Sequence, residues 1–157
     1  MENNVMTAKE YLRQYEEAAR LARRLKTEYD KEVELIDSIR SALGGDGLPR
    51  GGGISKTTEV KAVRLSELFS DYQTAELYAL RVKRTVLSTI NAIPGEAGST
   101  LYERYINLKW DEKRKILRLQ TWDEVAKAIG YSKRQTHRFH EDGLAAVQNV
   151  IEWHSFP

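Results

Sequence analysis

The stretch Thr121-Trp122-Asp123-Glu124-Val125-Ala126-Lys127-Ala128-Ile129-Gly130-Tyr131-Ser132-Lys133-Arg134-Gln135-Thr136-His137-Arg138-Phe139-His140 decides the fold. Thr121 followed three residues later by Glu124 has the form of a capping box, and it predicts a helix over Trp122 to Ile129. Gly130-Tyr131 reads as a turn, since glycine adopts a positive φ without steric cost. Ser132, with Gln135 three residues on, caps a second helix that runs to about Trp153. Val125, Ala126 and Ile129 give the first helix a buried face. Thr136, Phe139, His140 and Leu144 recur at three and four residues and give the second helix its own. Lys133, Arg134, His137 and Arg138 fall on the opposite side or its flanks. A helix, a glycine turn and a second helix buried on one side only make a helix-turn-helix.

The residue types on the open side suit a nucleic acid. Side chains near the N-terminal end of a recognition helix reach base edges and phosphates in the major groove. Arginine can donate two parallel bonds to guanine, and Gln135 could pair with adenine. Lysine neutralises phosphate. The candidate DNA-binding residues are therefore Lys133, Arg134, Gln135, His137 and Arg138. The formal net charge is only +2, and acids and bases are balanced over Thr7 to Leu43. From Ser132 to His140, by contrast, there are three Lys/Arg, two His and no acid. The competing reading is a solvated basic face on a packing helix.

Upstream, the sequence changes character. Thr7 and Glu10 form another capping box, followed by a helix to about Leu43. Its apolar residues step by four and three through Tyr11, Tyr15, Ala18, Ala22, Leu25, Tyr29, Ile36, Ile39 and Leu43, with Glu32 interrupting. Six of the ten residues from Gly44 to Gly53 are glycine, which predicts a loop. A second long helix starts near Thr57 or Thr58 and ends before Pro94-Gly95. Its stripe is Leu65, Leu68, Tyr72, Ala75, Ala79, Val82, Val86, Ile90 and Ile93. Two matched stripes joined by one loop predict an antiparallel hairpin. After a break at Pro94 to Ser99, a third helix is expected over Thr100 to Lys109, with Leu101, Tyr105 and Leu108 on one face. Trp110 to Gln120 is compatible with a helix, but no period fixes it. The expected fold is all-α, with a helical hairpin over 1–95 and a helix-turn-helix domain over 96–157.

Several classes of function are disfavoured. The chain has 157 residues and no cysteine, which excludes disulfides, Cys-ligated zinc and thiol catalysis. Neither a signal-peptide core nor a run of the ~20 apolar residues that span a membrane is present, so a cytoplasmic protein is expected. Gly51 to Thr57 superficially suggests a phosphate loop, but Arg50 and Ser55 stand where its glycines belong. His137 and His140 have a spacing that can bind a metal, yet no Cys or carboxylate pair completes the site, and His140 reads as a packed core residue. Trp110, Trp122 and Trp153 read as packing residues. No acid–base pair and no activated nucleophile is apparent. The expectation is a non-enzyme without cofactor or metal.

Trp122-Asp123-Glu124-Val125-Ala126, Gly130-Tyr131-Ser132, Arg134 and His137-Arg138-Phe139-His140 resemble the C-terminal helix-turn-helix of small phage- and prophage-encoded proteins of Gram-positive bacteria. That family, largely without assigned function, is related to the ArpU and RinA late transcription regulators and more distantly to region 4 of sigma factors. Met6 to Leu12 and Leu48-Pro49-Arg50-Gly51 are also similar to it. Thr136 stands where the family usually has an aliphatic residue, and Gly143 where alanine is usual. Gly143 is expected to bend or break the last helix. The resemblance implies a phage-type transcription regulator that binds double-stranded DNA and contacts RNA polymerase. A homodimer is expected on other grounds, because a two-helix hairpin buries little apolar surface alone and paired helix-turn-helix units suit two-fold sites. The alternatives are a coiled-coil protein-interaction adaptor and a DNA-packaging protein similar to a small terminase subunit.

Overall fold

Thr7 and Glu10 start the first helix as the sequence predicts. The Glu10 carboxylate accepts the Thr7 backbone N–H at 2.7 Å, and the Glu10 N–H is donated to Thr7 Oγ1. In the computed structural model, which describes residues 6–42 and 56–155, this helix is α1 (Ala8–Ala42). It is followed by α2 (Lys56–Asn91), α3 (Gly95–Leu101), a π-helical turn (Tyr102–Ile106), strands β1 (Lys109–Asp111) and β2 (Ile116–Arg118), α4 (Trp122–Ile129) and α5 (Lys133–Ser155). The fold is all-α apart from that small ribbon. The glycine-rich loop expected at Gly44 to Gly53 lies outside the described residues.

Two expectations need correction here. The third helix begins at Gly95, not Thr100. Pro94 sits at its N-cap with φ −76°, a place where the missing proline N–H costs no helix bond. Past Leu101 the helix widens, the Asn107 N–H reaching back to the Tyr102 carbonyl at 3.0 Å. The segment after it is not helical. Lys109 pairs with Arg118, Trp110 with Leu117 and Asp111 with Ile116 in an antiparallel ribbon. Asp111 Oδ1 accepts the N–H groups of both Lys113 and Arg114 at 3.0 Å, and Lys115 closes the turn at φ +53°. An aspartate that binds its own turn competes with helix formation.

Residues 1–20 and 78–157 form one compact unit, and residues 21–77 form another. This division crosses the boundary expected at residue 95. The ends of the hairpin helices share a core with the C-terminal region: Leu12, Val86, Leu101 and Val147 are fully buried, with Ile90, Tyr105 and Ile106 nearly so. The α1 terminus is tied to α5 by the Ala8 N–H, which donates to Gln148 Oε1 at 2.8 Å. Within this unit α1 and α2 run antiparallel. Tyr11 Oη meets Thr89 Oγ1 at 2.8 Å, while Lys83 lies over the Tyr15 ring, one turn further along α1.

In the unit spanning 21–77, Tyr29 of α1 packs on Phe69 at 5.4 Å and on Tyr72 at 6.3 Å between ring centroids. All nine positions of the α2 stripe are buried or half-buried. The α1 stripe fares less well. Ile39 is exposed, and two fully buried residues, Leu12 and Glu16, lie outside it. Glu16 is held by Arg13 at 3.3 Å and by Arg20 at 2.6 Å. Trp110 and Trp122 are half-buried, but Trp153 is 80% exposed and is not a core residue of the chain.

Gly143 does not break α5, which is continuous over 23 residues. A Cβ at this position would lie 2.9 Å from Leu101 Cγ and Cδ1. The Leu101 side chain of α3 thus occupies the space that an alanine methyl would need. We expect Gly143→Ala to destabilise the protein even though alanine is the better helix former by ~1 kcal/mol. Overpacking against Leu101, costing about 1–3 kcal/mol, outweighs the gain. Urea unfolding of the single variant and of its combination with Leu101→Ala checks this, because the same change should be milder, or stabilising, once Leu101 is removed.

Candidate nucleic-acid interface

Both helices of the motif are capped as their sequences require. Thr121 Oγ1 accepts the Glu124 N–H, and Glu124 Oε2 accepts the Thr121 N–H at 2.7 Å. Glu124 has a second role, receiving both arms of the Arg118 guanidinium at 2.7 and 2.8 Å. That fork, with the Thr121 bond, lowers the Glu124 carboxyl to about 2. Gly130 closes α4 at φ +76°, and the N–H groups of Gly130 and Tyr131 both reach the Ala126 carbonyl. Tyr131 packs edge-on to Phe139 and donates its hydroxyl to Glu96 Oε1 at 3.1 Å. The turn is thereby tied to α5 and to α3.

α5 buries Thr136, His140, Gly143 and Val147 along one face. Thr136 satisfies its hydroxyl on the Ser132 carbonyl at 2.9 Å, which explains how a polar side chain stands on the buried face. His140 is a core residue. Its Nε2 meets Tyr105 Oη at 2.9 Å, and its ring lies 4.6 Å from Trp122 between centroids. Burial, with the nearby positive charges of Lys9, Arg104 and His137, lowers its pKa to about 4. The imidazole is therefore neutral at pH 7.

The five candidate residues are all exposed on the first turns of α5, but they are not equivalent. Lys133 Nζ pairs with Asp123 Oδ1 at 2.8 Å. His137 lies against Trp122, ring centroids 4.4 Å apart. Gln135 Oε1 accepts the Ser132 N–H and hydroxyl at 3.3 and 2.9 Å. That carbonyl is occupied, so Gln135 acts as a cap, and its pairing with adenine would first require breaking the cap. Arg134 and Arg138 make no ion pair or side-chain hydrogen bond among the described residues. They stand one turn apart and are the two fully available cations of the helix.

Three contributors were not legible in the sequence. Arg104 lies over the Trp122 ring at 4.5 Å and donates Nη1 to the Gln120 carbonyl. Burial draws its guanidinium below the usual arginine range. Gln120, almost wholly buried, donates Nε2 to the Glu103 and Asn107 carbonyls. Arg118 braces α4. Only the alternation Trp110, Ile116 and Arg118 around a charged turn opened by Asp111 could have signalled the ribbon that carries it. Among the described residues no three His, Cys, Asp or Glu side chains are grouped to hold a metal ion.

No protein-family model, curated protein or solved structure matches the chain.

Two of the perturbed groups, His140 and Glu124, contribute a pH dependence with a defined window. The native His140 refuses a proton that the unfolded ring takes at about 6.5, so stability is full above that pH and declines as pH falls toward about 4. The native Glu124 stays ionised where the unfolded carboxyl does not. Its contribution is full above about 4.5 and is lost as pH falls toward about 2. Proton NMR should therefore give the His140 ring a midpoint near 4. A midpoint near 6.5 would mean that the ring is solvated and the Tyr105 contact absent.

Proposed function

We propose that the chain binds duplex DNA through α4, its turn and α5, with α5 as the recognition helix. One observation carries this reading. Two capped helices joined by a left-handed glycine bury the far face of α5, while its first turns present an acid-free set of cations to solvent. Arg134 and Arg138 are the residues we assign to base edges, since each has its full donor fork free. Lys133 serves a phosphate. Its exposed pair with Asp123 is worth at most ~1 kcal/mol and is readily exchanged. His137, steadied by Trp122, offers a further donor. The likeness to phage and prophage proteins suggests transcription regulation, with RNA polymerase as a second partner. In this reading the protein is not an enzyme and uses no cofactor.

Homodimerisation belongs to the same proposal. Paired recognition helices suit two-fold sites. Among the described residues of the 21–77 unit, only Ala75 is a buried hydrophobic, while Leu35, Val60, Val63 and Leu77 are more than half exposed. A two-helix segment with so thin a core gains stability from a second copy.

Two measurements test these assignments. Anisotropy titration against fragments of the source genome should show affinity that falls steeply with salt. Arg134→Ala or Arg138→Ala should cost ~1–3 kcal/mol and relax sequence preference, whereas Gln135→Ala should act mainly on stability. Parent protein that binds no fragment, or arginine variants that bind like the parent, would overturn the DNA reading. Separately, sedimentation at micromolar concentration should report twice the 18.0 kDa chain mass. A persistent monomer would leave the dimer proposal without support.

A further inference from the structure

We propose that the β1–β2 ribbon is a second DNA-contacting element, whose turn holds the phosphate backbone beside the groove that α5 enters. The inference rests on the DNA reading and goes beyond it, because it assigns a function to a segment outside the helix-turn-helix.

Charge is the first ground. Residues 109–118 carry five cations, Lys109, Lys113, Arg114, Lys115 and Arg118, against two acids. Both acids are engaged inside the ribbon. Asp111 spends Oδ1 on the turn backbone, and Glu112 pairs with Lys115 at 2.6 Å. Lys113 and Arg114 are left exposed at the tip, and neither side chain has an ion pair or hydrogen bond among the described residues. Two adjacent unpaired cations on a fixed turn suit a polyanion better than a single carboxylate.

Position is the second ground. Arg20 Nε donates to the Leu117 carbonyl at 2.6 Å, and Arg118 forks onto Glu124 in the first turn of α4. The same turn of α4 touches the cationic start of α5 through Asp123–Lys133 and Trp122–His137. Ribbon root, α4 and recognition helix thus form one chain of contacts. Strands of three residues carry the tip about 10 Å from that root. That length is comparable with the ~12 Å width of a major groove, and in this proposal the tip meets phosphates flanking a helix seated in it.

The test compares the parent with the double variant Lys113→Ala/Arg114→Ala on a specific duplex and on an unrelated one. Two lost phosphate contacts should lower the slope of log affinity against log salt by about 2. The loss at about 50 mM salt should then exceed that at about 200 mM by roughly tenfold, equally on both duplexes. A double variant with the parent's affinity and slope overturns the ribbon assignment. If Arg134→Ala/Arg138→Ala still abolishes binding in that case, the recognition-helix reading stands without it. A parent that fails to bind either duplex overturns both. The turn is held by backbone bonds to Asp111, so the variant should melt as the parent does. Should it not, Lys113→Gln/Arg114→Gln keeps the polar surface while removing the charge, and an unchanged salt slope in that variant overturns the assignment equally.

Discussion

Leu101 fills the notch that Gly143 leaves in α5, and the geometry of the C-terminal unit depends on that contact. With no Cβ in the way, α3 lies close enough to α5 for Leu101 to be completely buried. Burying a leucine side chain contributes about 1.5–3 kcal/mol. The more important effect is geometric, because the contact fixes how α5 crosses α3, and so which of its residues face inward. A helix-turn-helix of this size has too little core of its own. Here α3 and α5 extend that core onto the ends of the hairpin, where Leu12, Val86, Ile90 and Val147 close it. This explains why the first turns of α1 and the last turns of α2 belong with the C-terminal region and not with the rest of their own helices.

Polar groups inside the unit are arranged so that the cations of α5 need not stabilise the fold. Glu124 is the clearest case. One carboxylate completes the cap of α4 and receives the Arg118 fork, which joins ribbon to helix. Ser132 and Gln135 cap α5 with neutral groups. His140 is kept neutral in the core by burial and by surrounding positive charge. Arg104 is the exception. Its charge is half-buried over Trp122 and close to His140, with Nε lacking a partner among the described residues. Stacking on an indole and one carbonyl bond offset part of that desolvation.

Much of this was legible because it rests on period and capping. Thr7–Glu10, Thr121–Glu124, Gly130 and Ser132–Gln135 are local signals, and local bonds realise them. The α2 stripe was readable for the same reason, and all nine of its positions are buried or half-buried. What escaped the sequence depends on partners distant along the chain. Glu16 reads as a solvated acid until Arg13 and Arg20 are seen to close over it. Gly143 reads as a helix breaker until Leu101 occupies its missing Cβ. The ribbon has strands of three residues, too short for an alternation to stand out. Gln135 looked equally fit for a cap and for adenine, and only the Ser132 bonds distinguish the two.

That distinction bears on how far exposure can indicate function. All five candidate side chains on α5 are exposed, and exposure alone would weigh them alike. Their partners separate them. A group engaged in a cap must give up that bond before it can serve a ligand. A group in a solvated pair gives up little, because water and salt already screen the attraction. A group with no partner gives up only rotamer freedom, about 2 kcal/mol at most for an arginine. Ranked in this way, Arg134 and Arg138 precede Lys133, and Gln135 comes last. The same reasoning applied to the ribbon selects Lys113 and Arg114 over Lys115 and Arg118. The ribbon's acids are engaged within their own element, the first turns of α5 carry none, and in both places the cations left over lie on the outside.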